Sequence, residues 1–137
     1  MTKLFLDTNV VMDMLLRREP FFLESANIFA LAAKGEARLF ASSLTYATAA
    51  YLIGKRNMSL VRPSLQRLRR LSHVTRIDER IVDDSFASDF EDFEDALQYF
   101  SATTENIDYI ITRNAKDFLH ASIPVLTPTE FMEHYSA

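Results

Sequence analysis

Aspartates at the ends of apolar segments are the residues of this sequence best suited to chemistry. Asp7 ends an apolar run in LFLDTNVVMD, Asp95 lies at the start of the helical segment DALQYF, and Asp117 follows the apolar run of DYIITRNAKDF. Carboxylates that meet in a low-dielectric cleft cannot all stay ionised without a counter-charge. A divalent cation supplies that charge, and ligands that are oxygen only favour Mg²⁺ or Mn²⁺ over Zn²⁺. Such an ion activates water and stabilises charge on a phosphoryl group, which suits phosphodiester hydrolysis.

Each aspartate also has a structural interpretation. Asp7 lies where the N-terminus of a following helix would favour a negative charge. Asp92 and Asp95 form a D-x-x-D arrangement in which Asp92 is the expected helix cap, and Asp117 is a candidate cap for a short turn. The apolar pattern around Asp95 allows an inward-facing acid without requiring one.

Helical and strand-like segments alternate along the chain, which predicts an α/β fold with a central parallel sheet and helices on both sides. Only two glycines and four prolines interrupt the pattern. Strands are expected near residues 3–6, 38–42, 73–78, 109–112 and 123–127. Helices are expected near residues 8–18, 20–35, 43–54, 59–71, 79–88, 92–104 and 128–135.

The predicted sheet gives the aspartates a common location. Ligands of such sheets bind outside the carboxyl ends of the strands, where the strand order reverses. Asp7 follows the first strand at that edge, and Thr112, Asn114 and Asp117 follow the fourth. If these strands are neighbours at the reversal, the helix that carries Asp95 can bring its carboxylate into the same cleft.

Composition limits the classes of function. The chain has 15 Lys and Arg against 19 Asp and Glu, for a net charge of −4, which disfavours a broad electrostatic grip on nucleic acid. Residues 55–80 are locally basic and residues 83–95 acidic, and a solvated helix face is the expected role of the arginines in RLRRL. The absence of cysteine excludes disulfides and thiolate metal sites. His73, His120 and His134 have no partner at ligand spacing and are expected to be ordinary polar residues.

The size of the chain predicts one domain, residues 1–137. No apolar run approaches the ~20 residues of a membrane span. The first residues lack the pattern of a secretory signal, so we expect a cytoplasmic protein without membrane contact.

Three segments in order, FLDTNVVMDMLL, DFEDALQYFSA and DYIITRNAKDF…IPVLTPTEF, resemble the PIN domain of the ribonuclease toxins in bacterial and archaeal toxin–antitoxin pairs. The resemblance spans essentially the whole chain. It implies a three-layer α/β/α fold with about five parallel strands and an endoribonuclease that depends on Mg²⁺ or Mn²⁺. It also implies an RNA substrate, a small antitoxin protein as partner, and a homodimer.

The resemblance assigns roles by position. The family's metal-binding and catalytic aspartates match Asp7, Asp95 and Asp117, with Asn9, Thr112 and Asn114 as polar supports. Many relatives have an aspartate at the position of Asn114.

One position departs from the family pattern. Active relatives usually carry a glutamate three residues after a threonine in the helix SSLTYATAAYL, and counting from Thr45 this position is Thr48. A hydroxyl is a weaker metal ligand than a carboxylate, so the site has three acids instead of four. Asp13, Glu91, Asp92 and Glu94 are candidates to compensate.

Two functions therefore remain open. The first is a metal-dependent ribonuclease with an incomplete acidic site, in which Thr48 replaces the usual acid. The second is a PIN-like module that binds RNA or protein without cutting, which the absence of the glutamate favours.

Overall fold

A five-stranded parallel sheet forms the centre of the protein. The structure is a computed structural model that describes residues 1–136, without the side chain of Ser136, and Ala137 of the predicted domain lies outside the described residues. The strand order is β3-β2-β1-β4-β5, and all neighbours are parallel. The strands are β1 Thr2–Leu6, β2 Ala37–Ser42, β3 Ser72–Thr75, β4 Tyr109–Ile111 and β5 Val125–Leu126.

The α/β/α layers follow from residues that alternate between the two faces of the central strand. Leu4 and Leu6 of β1 are buried on one face, and Phe5 is buried on the other. Such near-continuous burial is typical of a parallel strand covered on both sides. The helices are α1 Thr8–Leu15, α2 Phe22–Ala33, α3 Ser43–Arg56, α4 Val61–Leu71, α5 Glu79–Phe86, α6 Phe93–Ala102 and α7 Pro128–Ser136. The predicted three-layer fold with five parallel strands is confirmed.

The strand order reverses between β1 and β4. Leu6 pairs with Ile111 in the sheet, and the backbone N–H of Asp7 donates to the carbonyl of Ile111 at 2.9 Å. The first and fourth strands are therefore neighbours at the reversal. This is the condition stated above for Asp7 and the residues after β4 to lie close together.

Three helices start with capping side chains near the carboxyl edge of the sheet. Asp7 caps α1, Ser42 caps α3 and Asp92 caps α6, and each side-chain oxygen accepts a hydrogen bond from a backbone N–H of the first turn. Such caps satisfy N–H groups that have no partner inside the helix. The capping role expected of Asp92 is confirmed.

The first two helices differ from the predicted bounds. Helix α1 ends at Leu15, before the predicted end near Arg17–Arg18, because Arg17 adopts a left-handed conformation with φ of 50°. This turn closes with a hydrogen bond from Arg18 N–H to the Asp13 carbonyl at 3.0 Å. Helix α2 begins at Phe22, two residues after Pro20. Among residues 1–136, no helix combines the length and apolar character required to cross a lipid bilayer.

Candidate metal-binding site at the carboxyl edge of the sheet

Asp7 is a buried carboxylate held by neutral donors. Its side chain lies directly after β1 and the residue is 7% exposed. One carboxylate oxygen accepts from the Thr8 backbone N–H at 2.8 Å, and the other accepts from the Thr112 hydroxyl at 2.8 Å and from Asn9 Nδ2 at 3.1 Å. Two carboxylate oxygens can accept about four hydrogen bonds, so Asp7 keeps capacity for a further ligand. Asp7 is therefore both the cap of α1 and a carboxylate at the reversal point.

The expected polar supports lie around Asp7, although they act in different ways. Asn9 also donates to the Thr112 hydroxyl at 3.3 Å, and its Oδ1 accepts from the Arg113 backbone N–H at 3.3 Å. Asn114 contributes its backbone N–H, which donates to the Thr112 hydroxyl at 3.1 Å. The loop after β4 is thereby tied to the loop after β1, which fixes the orientation of the Asp7 carboxylate.

Asp95 and Asp117 line one cleft beside this network. The cleft has a volume of about 150 Å³, and Glu91 and Asp92 also contribute to its wall. Asp95 is half-buried in the first turn of α6, and Asp117 is exposed in a short 3-10 turn, Ala115–Phe118. Asn114 stands at the cap position of that turn, so the interpretation of Asp117 as its cap is wrong.

The pKa values of the aspartates show that their charges act on one another. Burial raises the pKa of Asp7, the hydrogen bonds from Thr112 and Thr8 and the nearby Gln98 amide oppose that shift, and the charge of Asp117 adds to it. Burial also raises the pKa of Asp95 to about 7, with further contributions from the charges of Asp7, Asp92 and Asp117. The sequence-predicted acids therefore share one electrostatic environment.

The donor chemistry of this edge fits a hard divalent cation. Within residues 1–136, no group of three or more His, Asp or Glu side chains is clustered closely enough to hold a metal ion together. Mg²⁺ commonly keeps several waters and uses only one or two carboxylates, so it does not need a cage of three protein ligands. The negative charges of Asp7, Asp95 and Asp117 would attract such an ion electrostatically.

Thr48, which stands on α3 where the family usually has a glutamate, lies one turn after a hydrogen-bonded threonine, Thr45. Thr48 is half-buried and its hydroxyl has no hydrogen-bond partner among the described residues. One turn earlier, the buried Thr45 hydroxyl lies 2.8 Å from the Thr8 hydroxyl and accepts from Gln98 Nε2 at 3.1 Å. Sequence reasoning missed Gln98, and its position three residues after Asp95 on the same helix was the available signal.

Asp13 belongs to a separate, charge-balanced arrangement. It is fully buried, and its carboxylate accepts from Arg113 Nε at 2.6 Å and from Arg18 Nε at 3.0 Å. The Arg113 guanidinium also lies 3.9 Å from the centre of the Phe21 ring. Because two arginines already neutralise Asp13, it does not supply the missing acid. Glu91 and Asp92 line the cleft and remain candidates for that role, as does Glu94 beside them.

Two basic residues line the acidic cleft without having been assigned a role from sequence. Lys116 precedes Asp117, and His120 lies in the segment that follows the 3-10 turn. Both side chains are exposed. No ligand signal marks His120 in the sequence because no His or Cys lies at ligand spacing from it.

Comparison with known proteins agrees with this geometry. The family model described as PIN domain matches residues 3–116. Solved structures with the same fold include a toxin–antitoxin complex from Klebsiella pneumoniae, with 24% identity over 90% of this chain and 96% of that chain and a TM-score of 0.67. VapBC2 from Rickettsia felis, bound to a promoter DNA fragment, has 16% identity over 92% and 98% of the two chains and a TM-score of 0.68. VapBC-1 from nontypeable Haemophilus influenzae has 19% identity over 93% and 99% and a TM-score of 0.67.

The chain belongs to the PIN domain family, because the family model covers most of its length. The search of curated proteins found no match. At these identities the solved structures establish the shared fold. The matched range of the family model includes the first two motifs quoted above and the start of the third, whereas Asp117 and IPVLTPTEF lie beyond it.

We predict that Asp95 makes the stability of the metal-free protein depend on pH. The folded-state pKa of about 7 lies above the usual 3.8, so between these values the folded protein binds more protons than the unfolded chain. The free energy of unfolding should therefore fall as pH rises from about 4 to about 7, and Asp95→Asn should make that decline shallower. Urea denaturation across this range measures the slope, and Ser85→Ala serves as an uncharged control that shifts stability equally at every pH. A carbon-13 NMR titration that places the Asp95 carboxyl near its usual pKa would contradict the prediction.

Proposed function

We propose that this protein is a metal-dependent endoribonuclease of the PIN domain family and the toxin of a toxin–antitoxin pair. The observation that supports this most directly is the strand order that brings Asp7 and the segment of Asp117 to one edge of the sheet. There the charge of Asp117 raises the pKa of Asp7, and the charges of both raise the pKa of Asp95. Catalytic and metal-binding roles for these three aspartates are part of the proposal.

The proposed cation is Mg²⁺ or Mn²⁺, held by Asp7, Asp95 and Asp117 either directly or through waters that the ion keeps. When bound, it supplies an activated water at neutral pH and stabilises negative charge on the phosphoryl group. The donor set supports this choice because it consists of oxygen ligands only, which suit hard divalent cations.

Side chains around the site would orient the Asp7 carboxylate and offer hydrogen-bond donors to the substrate. Asn9 and Thr112 hold the Asp7 carboxylate in one rotamer through two donated hydrogen bonds, so that it does not have to be reoriented during the reaction. Lys116 and His120 line the cleft and are placed to donate to phosphate oxygens of an RNA backbone. In the metal-free site the pKa of Asp95 is raised to about 7, and a bound cation would favour its charged form.

A non-catalytic PIN-like module that binds RNA or protein is the alternative. The observation that favours it is Thr48, which brings no charge to the site from α3. With three acids instead of four, cation affinity is expected to be weaker, and the site would then serve binding without turnover.

We expect Asp7→Asn to reduce Mn²⁺-dependent cleavage of RNA by about 100-fold or more, the size of effect seen when one group that stabilises developing charge is removed. Asp117→Asn should act in the same direction. Cleavage of a labelled RNA by equally pure proteins measures the effect. Asp83→Asn on α5 makes the same charge change outside the cleft and should retain activity. Wild-type protein without metal-dependent cleavage at any practical concentration would instead favour the binding module.

We expect Thr48→Glu to strengthen Mn²⁺ binding and increase cleavage several-fold, because it places a carboxylate at the position that is acidic in active relatives. Isothermal titration with Mn²⁺ measures the affinity, and Thr48→Gln controls for side-chain size without the charge. If Thr48→Glu behaves like Thr48→Gln, the account of a missing ligand is wrong.

This protein has a candidate surface for binding the proposed antitoxin. A groove of about 110 Å³ between α1, α2 and α4 has an apolar floor that includes Leu15, Phe22 and Leu68, with Arg17 and Arg67 at its rim. Apolar floor and basic rim together suit an amphipathic segment with acidic side chains. Phe22 lines this groove, the neighbouring Leu23 is exposed, and Phe21 packs against the Arg113 guanidinium. The homodimer remains a prediction, which sedimentation equilibrium tests.

We predict that Arg67→Glu weakens binding of an antitoxin encoded by a short neighbouring reading frame by about tenfold, corresponding to roughly 1.4 kcal/mol. The reversed charge would repel the acidic side chains that the rim is expected to attract. Surface plasmon resonance with the purified partner measures the affinity. Arg70→Glu makes the same change on α4 away from the groove and should bind normally; equal losses in both variants would argue against this surface.

A further inference from the structure

Gln98 is a fully buried amide at the centre of the helices that carry the aspartates. It lies on α6, one turn after Asp95, and is 1% exposed. Its Nε2 donates to the Thr8 hydroxyl at 2.7 Å and to the Thr45 hydroxyl at 3.1 Å, and its Oε1 accepts from the Ser42 hydroxyl. The amide N–H and C=O groups of this one side chain are thus both hydrogen-bonded, to residues of α1, α3 and β2.

The partners of Gln98 stand at structurally important positions. Thr8 is the first residue of α1 and directly follows Asp7, and its N–H donates to the Asp7 carboxylate. Ser42 caps α3 by accepting from the Thr45 N–H at 3.3 Å. The Thr8 and Thr45 hydroxyls are themselves 2.8 Å apart. The starts of α1 and α3 are therefore linked to α6 through a single amide.

We propose that Gln98 is a positioning residue that holds the Asp95 carboxylate on α6 at a fixed place relative to the Asp7 carboxylate at the start of α1. A shift of α6 would break hydrogen bonds among the buried side chains of Gln98, Ser42 and Thr45, and such a loss is costly. The consequence for RNA cleavage rests on the proposed function, whereas the consequence for the two carboxylates rests on the hydrogen bonds alone.

The amide also determines how many charges this part of the protein carries. All three partners of Gln98 are hydroxyls, which can donate as well as accept. A glutamate of the same shape can therefore accept from all three hydroxyls, although the hydrogen bond between Thr8 and Thr45 is then lost. It would add a buried negative charge close to Asp7, so the choice of Gln keeps the site at three acids.

The test compares Gln98→Met, Gln98→Glu and Ser101→Ala in the full chain. Ser101 lies one turn further along α6, where its buried hydroxyl is 2.6 Å from that of Thr75, so Ser101→Ala removes a buried polar contact of the same helix away from the carboxylates. Mn²⁺ affinity from electron paramagnetic resonance and the melting temperature with and without Mn²⁺ are the readouts. RNA cleavage provides kcat and KM separately.

Gln98→Met should weaken Mn²⁺ binding by about tenfold or more, as for other residues that orient metal ligands, and should lower kcat more than KM. Ser101→Ala should lower the melting temperature while Mn²⁺ affinity stays unchanged. Gln98→Glu should destabilise the metal-free protein, bind Mn²⁺ more tightly than wild type, and show a larger rise in melting temperature when Mn²⁺ is added.

The inference is overturned if Gln98→Met, like Ser101→Ala, loses stability but retains Mn²⁺ affinity and kcat. Should Gln98→Met not fold, unchanged Mn²⁺ affinity in Gln98→Glu overturns it instead. Wild-type protein that binds Mn²⁺ but cuts no RNA refutes the proposed function, while the affinities of the variants still decide the role of Gln98. Wild-type protein that binds no Mn²⁺ overturns both.

Discussion

The burial of the Asp7 carboxylate without a cationic partner is the constraint on which the rest of the site depends. Removing a charge from water is costly unless hydrogen bonds or an opposite charge compensate. Here the compensation comes from a backbone N–H, a hydroxyl and a side-chain amide. The hydroxyl, that of Thr112, is in place only because β1 and β4 are neighbours, so the strand order and the state of this one side chain are coupled.

The contrast between Asp7 and Asp13 shows how the same residue type serves two purposes within one helical segment. Asp13 is fully buried and paired with Arg18 and Arg113, so its charge is balanced inside the protein. Asp7 has only neutral donors and faces the charges of Asp95 and Asp117. A carboxylate that the fold has left unbalanced is the one that gains most from a ligand of opposite charge. The Asp13–Arg113 pair is also connected to Asp7, because the backbone N–H of Arg113 donates to Asn9, and Asn9 in turn orients Asp7.

Most of the architecture could be predicted from the sequence because its signals are local. The apolar runs of β1 and β4, the cap at Asp92 and the positive φ of Gly35 just past α2 depend on neighbours within a few residues. The end of α1 was predicted too late because no glycine marks the left-handed residue, which is Arg17. The location of Asp7 and Asp117 at one sheet edge followed from the predicted topology, and their roles there remain a prediction from the resemblance to a family.

The parts of the site that escaped prediction depend on contacts between distant segments. Gln98 resembles an ordinary polar residue of an amphipathic helix until α1 and α3 are packed against it, and His120 has no His or Cys at ligand spacing. The pairing of Asp13 with Arg113 likewise joins residues from opposite ends of the chain. Periodicity describes which face of a helix is apolar, but it does not reveal which buried polar groups of different helices will meet.

The two edges of the sheet are formed by its short outer strands, β3 with four residues and β5 with two. An unpaired strand edge is a template for pairing with another molecule, and short edge strands offer few free backbone groups for this purpose. Intermolecular strand addition and aggregation along the sheet are thereby discouraged at both margins. Association with other molecules is then left to side-chain surfaces, where charge and shape can discriminate between partners.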